Sequence, residues 1–326
     1  MDFSKLRLSW LVAMILFVLS ACATPNVYRP EVDMFQKATT ELKIYTAAKQ
    51  KAVREVRDNL RMDVLKSKRP LLKISEDCAK AAQKFLNSSP AANEASGCQL
   101  VVSGDDSLNR IFNPKEQFAD SAAFVEAVVI YASALDKIAK IGDKKDFLEA
   151  AGGLSDAVIS LAGSAAEAAG KSKPDAESFT PIANLVNLGT YYILENMKTE
   201  ALKEAAKSAD PWIEMGSLAV NDVMYAAQFE LVNASLEKLR SQVDKVNEAG
   251  ETKYVAEADK AIKQGSELRQ QLGVDPGLPF RKLPKTHKKL LAAFEDRKRN
   301  LAAAIAVAKD LYNAAREAFA AVVNER

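Results

Sequence analysis

The sequence predicts an all-α fold: an elongated antiparallel bundle of long helices with a small disulfide-stapled loop insertion. Three observations lead there. Glycine and proline, the residues that helix interiors tolerate least, number only 13 and 11 in 326. Aromatic residues make up only 7% of the chain while alanine abounds, which suits helices packed through small side chains better than sheets built on large cross-strand pairs. Apolar residues also recur at steps of three and four along most of the chain, the spacing of one helix face.

The N-terminal segment is distinct from this body. Lys5 and Arg7 precede an apolar stretch from Leu8 to Leu19, broken only by Ser9, and small Ser20 and Ala21 follow. A charged start, an apolar middle and a small-residue end read as a secretory signal over residues 1–21. The apolar stretch falls short of the roughly 20 residues a membrane span needs. Leu19-Ser20-Ala21-Cys22 resembles the lipobox of bacterial lipoproteins. That resemblance implies cleavage before Cys22, lipid on its sulfur and its amine, and a lasting membrane anchor. One acyl chain holds only marginally and each buried CH₂ adds about 0.8 kcal/mol, so multiple chains hold well. Ala23, where an Asp would imply inner-membrane retention, implies the outer membrane, with the protein facing the periplasm. The leader is also similar to that of outer-membrane efflux channel lipoproteins, but nothing downstream alternates as barrel strands must. Residues 22–30 read as a lipidated tether in which Pro25 and Pro30 exclude a helix.

The helical domain is expected over 31–326. From Glu31 to Lys68 there is no Gly or Pro, and Phe35, Ala38, Leu42, Tyr45, Ala48, Ala52, Val56, Leu60 and Val64 share one face. Pro70 ends that helix. Residues 70–113 form a loop-rich excursion in which Ser75 can cap a short helix and "CQLVVSGDD" is a brief extended piece. Cys78 and Cys98 remain in an exported chain, where an even pair favours a disulfide; closing a loop of about 20 residues contributes about 3 kcal/mol in the chain-entropy model. The next helix starts near Asn113-Pro114, buries Val125, Val128, Ala132, Leu135 and Ile138, and stops at Gly142. Asp143 or a neighbour caps another, whose Phe147, Ala151, Leu154, Val158, Leu161, Ala165 and Ala168 form a heptad seam. After the loop "GKSKPDAES", a helix ends before Asp210-Pro211. Asp210 and Pro211 are expected to cap and open the following helix, which runs to about Ala249 with a seam of Phe229, Val232, Leu236, Leu239, Val243 and Val246. Gly250 interrupts, a helix continues to about Leu272, and "GVDPGLPFRKLP" is the clearest break. The last helix spans about Lys285 to Val323, lined by Leu290, Phe294, Leu301, Ile305, Ala308, Tyr312, Ala315, Phe319 and Val322, with Arg297 where an apolar residue is wanted. Short loops imply antiparallel neighbours.

Few residues point to chemistry. The single histidine, His287, lies among lysines and reads as a solvated surface residue. There is no G-x-S-x-G elbow, no glycine-rich phosphate loop and no H-E-x-x-H motif. No catalytic group, metal or cofactor is assigned, and the chain is expected not to be an enzyme. The formal net charge of +2 gives no field for nucleic acid. Asn184, Asn187, Tyr191, Tyr192 and Glu195 mix polar and apolar groups on one segment; they line either a ligand groove or a core helix whose polar groups pair across the bundle. Basic stretches at 54–69 and 281–299 are diluted by acidic residues and read as solvated faces. The expectation is a non-catalytic, lipid-anchored envelope protein that binds or scaffolds an envelope protein partner and touches the membrane through Cys22. A carrier or sensor of a small apolar ligand and a membrane-active or pore-forming helical protein are the alternatives. The oligomeric state is left open.

Overall fold

The computed structural model describes residues 28–68, 72–74, 100–102, 117–174 and 194–323. These form α1 (Arg29–Lys68), β1 (Leu72–Ile74), β2 (Leu100–Val102), α2 (Gln117–Lys140), α3 (Lys144–Ala168), α4 (Leu194–Glu248), α5 (Glu251–Gly273), α6 (Leu278–Glu295) and α7 (Arg297–Val323). The protein is overwhelmingly helical, as its composition implies. The two strands pair antiparallel with Ile74 opposite Leu100, and β2 falls in the stretch expected to be extended.

Four helices, α1, α2, α4 and α6, make an up-and-down bundle, each antiparallel to its neighbours. The pairings that fix these directions are specific. Gln36 and Lys43 of α1 reach Ser133 and Glu126 of α2. Tyr28, Phe35 and Tyr45 of α1 meet Phe294, His287 and Phe280 of α6. Asp210 and Asn221 of α4 meet His287 and Arg281 of α6. Two further helices close the edges: α3 packs on α2 and α4, and α7 on α1 and α6. These two edge contacts depart from the expected antiparallel packing. The turn from α2 makes α3 antiparallel to it and hence parallel to α4, while α7, antiparallel to α6, runs parallel to α1.

The expected core faces of α2 and α3 are buried. Val128, Ala132, Leu135, Ile138, Phe147, Leu154, Val158 and Leu161 are all inaccessible to solvent. Asp143 caps α3, its Oδ1 accepting from the backbone N–H of Asp146 at 2.9 Å. In α1 the face holds through Ala52, Val56 is half-buried, Leu60 is half exposed, and Val64 is buried again. Gly216 of α4 allows the closest approach: a Cβ there would lie 2.2 Å from the ring of Phe124.

Four expected boundaries are corrected. α1 already includes Pro30, which fits a helix's first turn, where the missing N–H costs nothing; the tether is shorter by two residues. α4 runs unbroken through Pro211. The proline lies on the exposed side of the helix, where water can reach the carbonyl it leaves unpaired, and Asp210 is not a cap. The break before the last helices is confined to 274–277, after which Leu278 restarts a helix that contains Pro284. Gly277 is required there, because a Cβ would sit 2.0 Å from Oδ1 of Asn221. A second break falls at Asp296, whose N–H donates to the Ala292 carbonyl and whose Oδ1 accepts from the N–H of Arg299 at 3.3 Å.

α4, at 55 residues, is about 82 Å long and outreaches the bundle. Its distal half turns back at Gly250 into α5, and Gln242 meets Glu257 while Ser235 meets Gln271. α5 and α6 run in one direction beside successive halves of α4. The result is a two-helix hairpin projecting from a packed body.

Candidate functional site

At the centre of the bundle, one polar side chain from each of three helices meets. His287 of α6 is fully buried. Its Nδ1 lies 3.0 Å from Oδ1 of Asp210 on α4, and its Nε2 lies 3.0 Å from the hydroxyl of Tyr131 on α2. The ring also contacts Phe35 of α1. This corrects the surface reading of His287. The lysines around it, Lys285, Lys288 and Lys289, are exposed, but His287 itself continues the stripe Phe280, Leu283, Leu290, Phe294, all buried. That spacing of three and four was the available signal.

The protonation pattern follows from the partners. Burial holds the imidazole below its usual pKa, opposed by the hydrogen bond to Asp210. That hydrogen bond, in turn, lowers the carboxyl of Asp210. Burial, and next the Asp210 charge, push Tyr131 well above the ordinary phenol. A neutral imidazole therefore donates from Nδ1 to a carboxylate and accepts at Nε2 from the tyrosine hydroxyl, so every polar atom of the ring is satisfied. Tyr131 and His287 are both fully buried, so this chain of hydrogen bonds ties three helices together away from solvent.

A second buried group explains the misfit at Arg297. Glu31 at the start of α1 is buried, and Arg297 Nε lies 3.5 Å from its Oε1. Burial raises the Glu31 carboxyl, with Arg297 opposing. Lys49 of α1, also buried, donates to Oε1 of Gln228 at the root of the hairpin, and Arg57 holds Glu230 through two bonds of 2.8 and 2.6 Å.

The hairpin differs from the body. Its inner seam is largely polar: Gln242 donates to Oε2 of Glu257 at 2.6 Å, Gln271 donates to Ser235 at 2.9 Å, and Gln228 donates to the Gln271 carbonyl at 2.8 Å. Of the apolar stripe expected on α4, Phe229 is 68% exposed and Val243 42%, while Val232, Leu236, Leu239 and Val246 are half-buried. On α5 Val255, Ile262 and Leu272 are 76%, 72% and 66% exposed.

Cys22, Cys78, Cys98, Asn184, Asn187, Tyr191 and Tyr192 lie outside the described residues. Glu195 is described: half-buried, it accepts from the buried ammonium of Lys198 at 3.0 Å, a pairing that occupies it within its own helix. Among the described residues no group of three or more His, Cys, Asp or Glu side chains could hold a metal ion. One described helix, α2 from Phe118 to Lys140, is long and apolar enough to cross a membrane; it packs against α1, α3 and α4 in the core.

The fold and these features define an all-helical bundle protein with a projecting two-helix arm. No family model, curated protein or solved structure matches the chain.

Proposed function

We propose that this is a non-catalytic, lipid-anchored cell-envelope protein whose body is a rigid stand and whose hairpin binds a protein partner. The observation that carries the reading is the distance between the two ends. Tyr28, where the chain joins the bundle, hydrogen-bonds Thr199 near the start of α4 at 3.2 Å. The hairpin turn at Gly250 lies about 75 Å further along the same continuous helix. A lipid on Cys22, six residues before Tyr28, holds that end at the membrane, on this reading the periplasmic face of the outer membrane. The arm then stands far from the bilayer, where a protein and not a lipid would meet it. The satisfied Tyr131–His287–Asp210 chain supports a structural over a catalytic role for the one histidine.

The disulfide between Cys78 and Cys98 belongs to the same proposal. Pairing of Ile74 with Leu100 brings together the chain on both sides of the cysteines, and the periplasm is oxidising. Mass spectrometry of the non-reduced protein should find the two cysteine peptides linked.

The test is crosslinking in intact cells followed by affinity capture, with Cys22→Ser as control. The proposal expects a particular envelope protein, crosslinked through the hairpin and lost with the anchor. Capture that is indifferent to Cys22, or recovery of a small apolar molecule from the bundle alone, would overturn it.

A further inference from the structure

The outward stripes of the hairpin lie on one and the same side. Successive helix residues turn by about 100°. On α4 the inner seam runs Gln228, Ser235, Gln242, and the exposed Phe229 and Val243 and the half-buried Leu236 each follow one residue later. On α5 the seam runs Gln264, Leu268, Gln271, with Ile262 and Leu272 likewise one step beyond Ala261 and Gln271. In an antiparallel pair, equal steps past the seam turn both helices toward the same face. α1 packs on the opposite face, through Arg57 and Glu230. The lysines Lys238, Lys245, Lys253 and Lys260 also fall on that opposite face and are exposed.

We propose that this face is the interface of a homodimer, in which two hairpins pack face to face about a two-fold axis along the arm and make a four-helix coiled coil. A second copy fits because the face is self-complementary. With that axis, residues of α4 meet the residues of the other copy's α5 at the same height, and the Gln242–Glu257 contact sets the height. Val243 then meets Val255, Leu236 meets Ile262, and Phe229 meets Leu272. Small Gly265 lies opposite Val232. At the rim Arg240 comes opposite Asp259, and Glu237 opposite Lys263. Each of these four charges is exposed, and in the single chain they pair only along their own helices. The solvent side of α4 continues the face downward through Leu218, 60% exposed. From Leu218 to Val243 the face measures about 37 Å by about 20 Å, on the order of 750 Å² per copy, close to the about 800 Å² per partner of a stable interface. A heptad stripe left open in the single chain is thus covered by its own copy.

The inference does not depend on the lipid anchor, and its failure would leave the proposed placement at the envelope intact. Analytical ultracentrifugation of the full-length chain tests it. The wild type should sediment at twice the chain mass of 35.5 kDa. Ile262→Glu and Phe229→Glu should each weaken the dimer about a hundred-fold or more, with helix content unchanged because both side chains are exposed in the single chain. Arg240→Asp and Asp259→Arg should each weaken association and, combined, restore it; this rescue separates the proposed geometry from loss of folding. A monomeric wild type, a dimer indifferent to all four substitutions, or a hairpin that binds anionic liposomes in place of its copy would overturn the proposal.

Discussion

The bundle body and the projecting hairpin are built on the same spacing and differ in what occupies it. In α3 the steps of three and four carry Phe147, Leu154, Val158 and Leu161, all fully buried. In the hairpin the inner steps carry Gln228, Ser235, Gln242 and Gln271, joined by side-chain hydrogen bonds, while Phe229, Val255, Ile262 and Leu272 face water. Periodicity therefore says that a face exists, and composition decides whether the chain itself covers it. A polar seam holds two helices in register at modest net gain, since each hydrogen bond contributes about 0.5–1.5 kcal/mol after its exchange with water. An apolar seam supplies the stability.

Substitutions should divide the two regions sharply. Leu154→Ala, in the body, should cost about 2–5 kcal/mol, whereas Ile262→Ala, in the hairpin, should stay within about 0.5 kcal/mol for the single chain; chemical denaturation at low protein concentration compares them. Gly216→Ala should follow at about 1–3 kcal/mol, because the new methyl group meets the Phe124 ring. Tyr131→Phe should cost about 1–3 kcal/mol by leaving Nε2 of the buried His287 without a donor.

The pH dependence also belongs to the body. His287 has a folded pKa below its unfolded one, so its neutral form is the one the fold favours. Its contribution is complete above the unfolded value near 6.5 and is lost as pH falls below it, because only the unfolded chain then takes up the proton. Asp210, also depressed, adds a further loss below about 4. Thermal melts should fall between pH 7 and 5, and His287→Asn should flatten that fall. Glu31 acts in the opposite sense. Its carboxyl is raised by burial, so it favours the fold at low pH and weakens it as pH rises through the carboxylate range. Glu31→Gln should be the smallest effect, neutral to slightly stabilising at pH 7.

Much of the body is legible in the sequence, because apolar residues at helix spacing have one explanation when they fill both sides of a contact. The cap at Asp143 and the faces of α2 and α3 are read directly. Other features depend on partners far along the chain. Asp210 beside Pro211 carries the local pattern of a helix start, but His287, 77 residues away, takes its carboxylate. Arg297 is a misfit until Glu31 lies opposite it. Spacing alone assigns the distal seam of α4 to its apolar residues, whereas the hydrogen bonds to α5 place Gln228, Ser235 and Gln242 there and leave Phe229 and Val243 exposed. The exposed arm is therefore visible only once the partner helix is in place. Of the candidate groove, Glu195 is described and is held by Lys198.

Hydrogen exchange of the full-length chain, followed by mass spectrometry over a range of protein concentrations, tests most directly that a stable body carries a weakly self-sufficient arm. The account predicts slow exchange in peptides from 124–166 at every concentration. Peptides from 236–265 should exchange faster when the protein is dilute and slow down as it is concentrated. Equal protection of the two regions at all concentrations would contradict it.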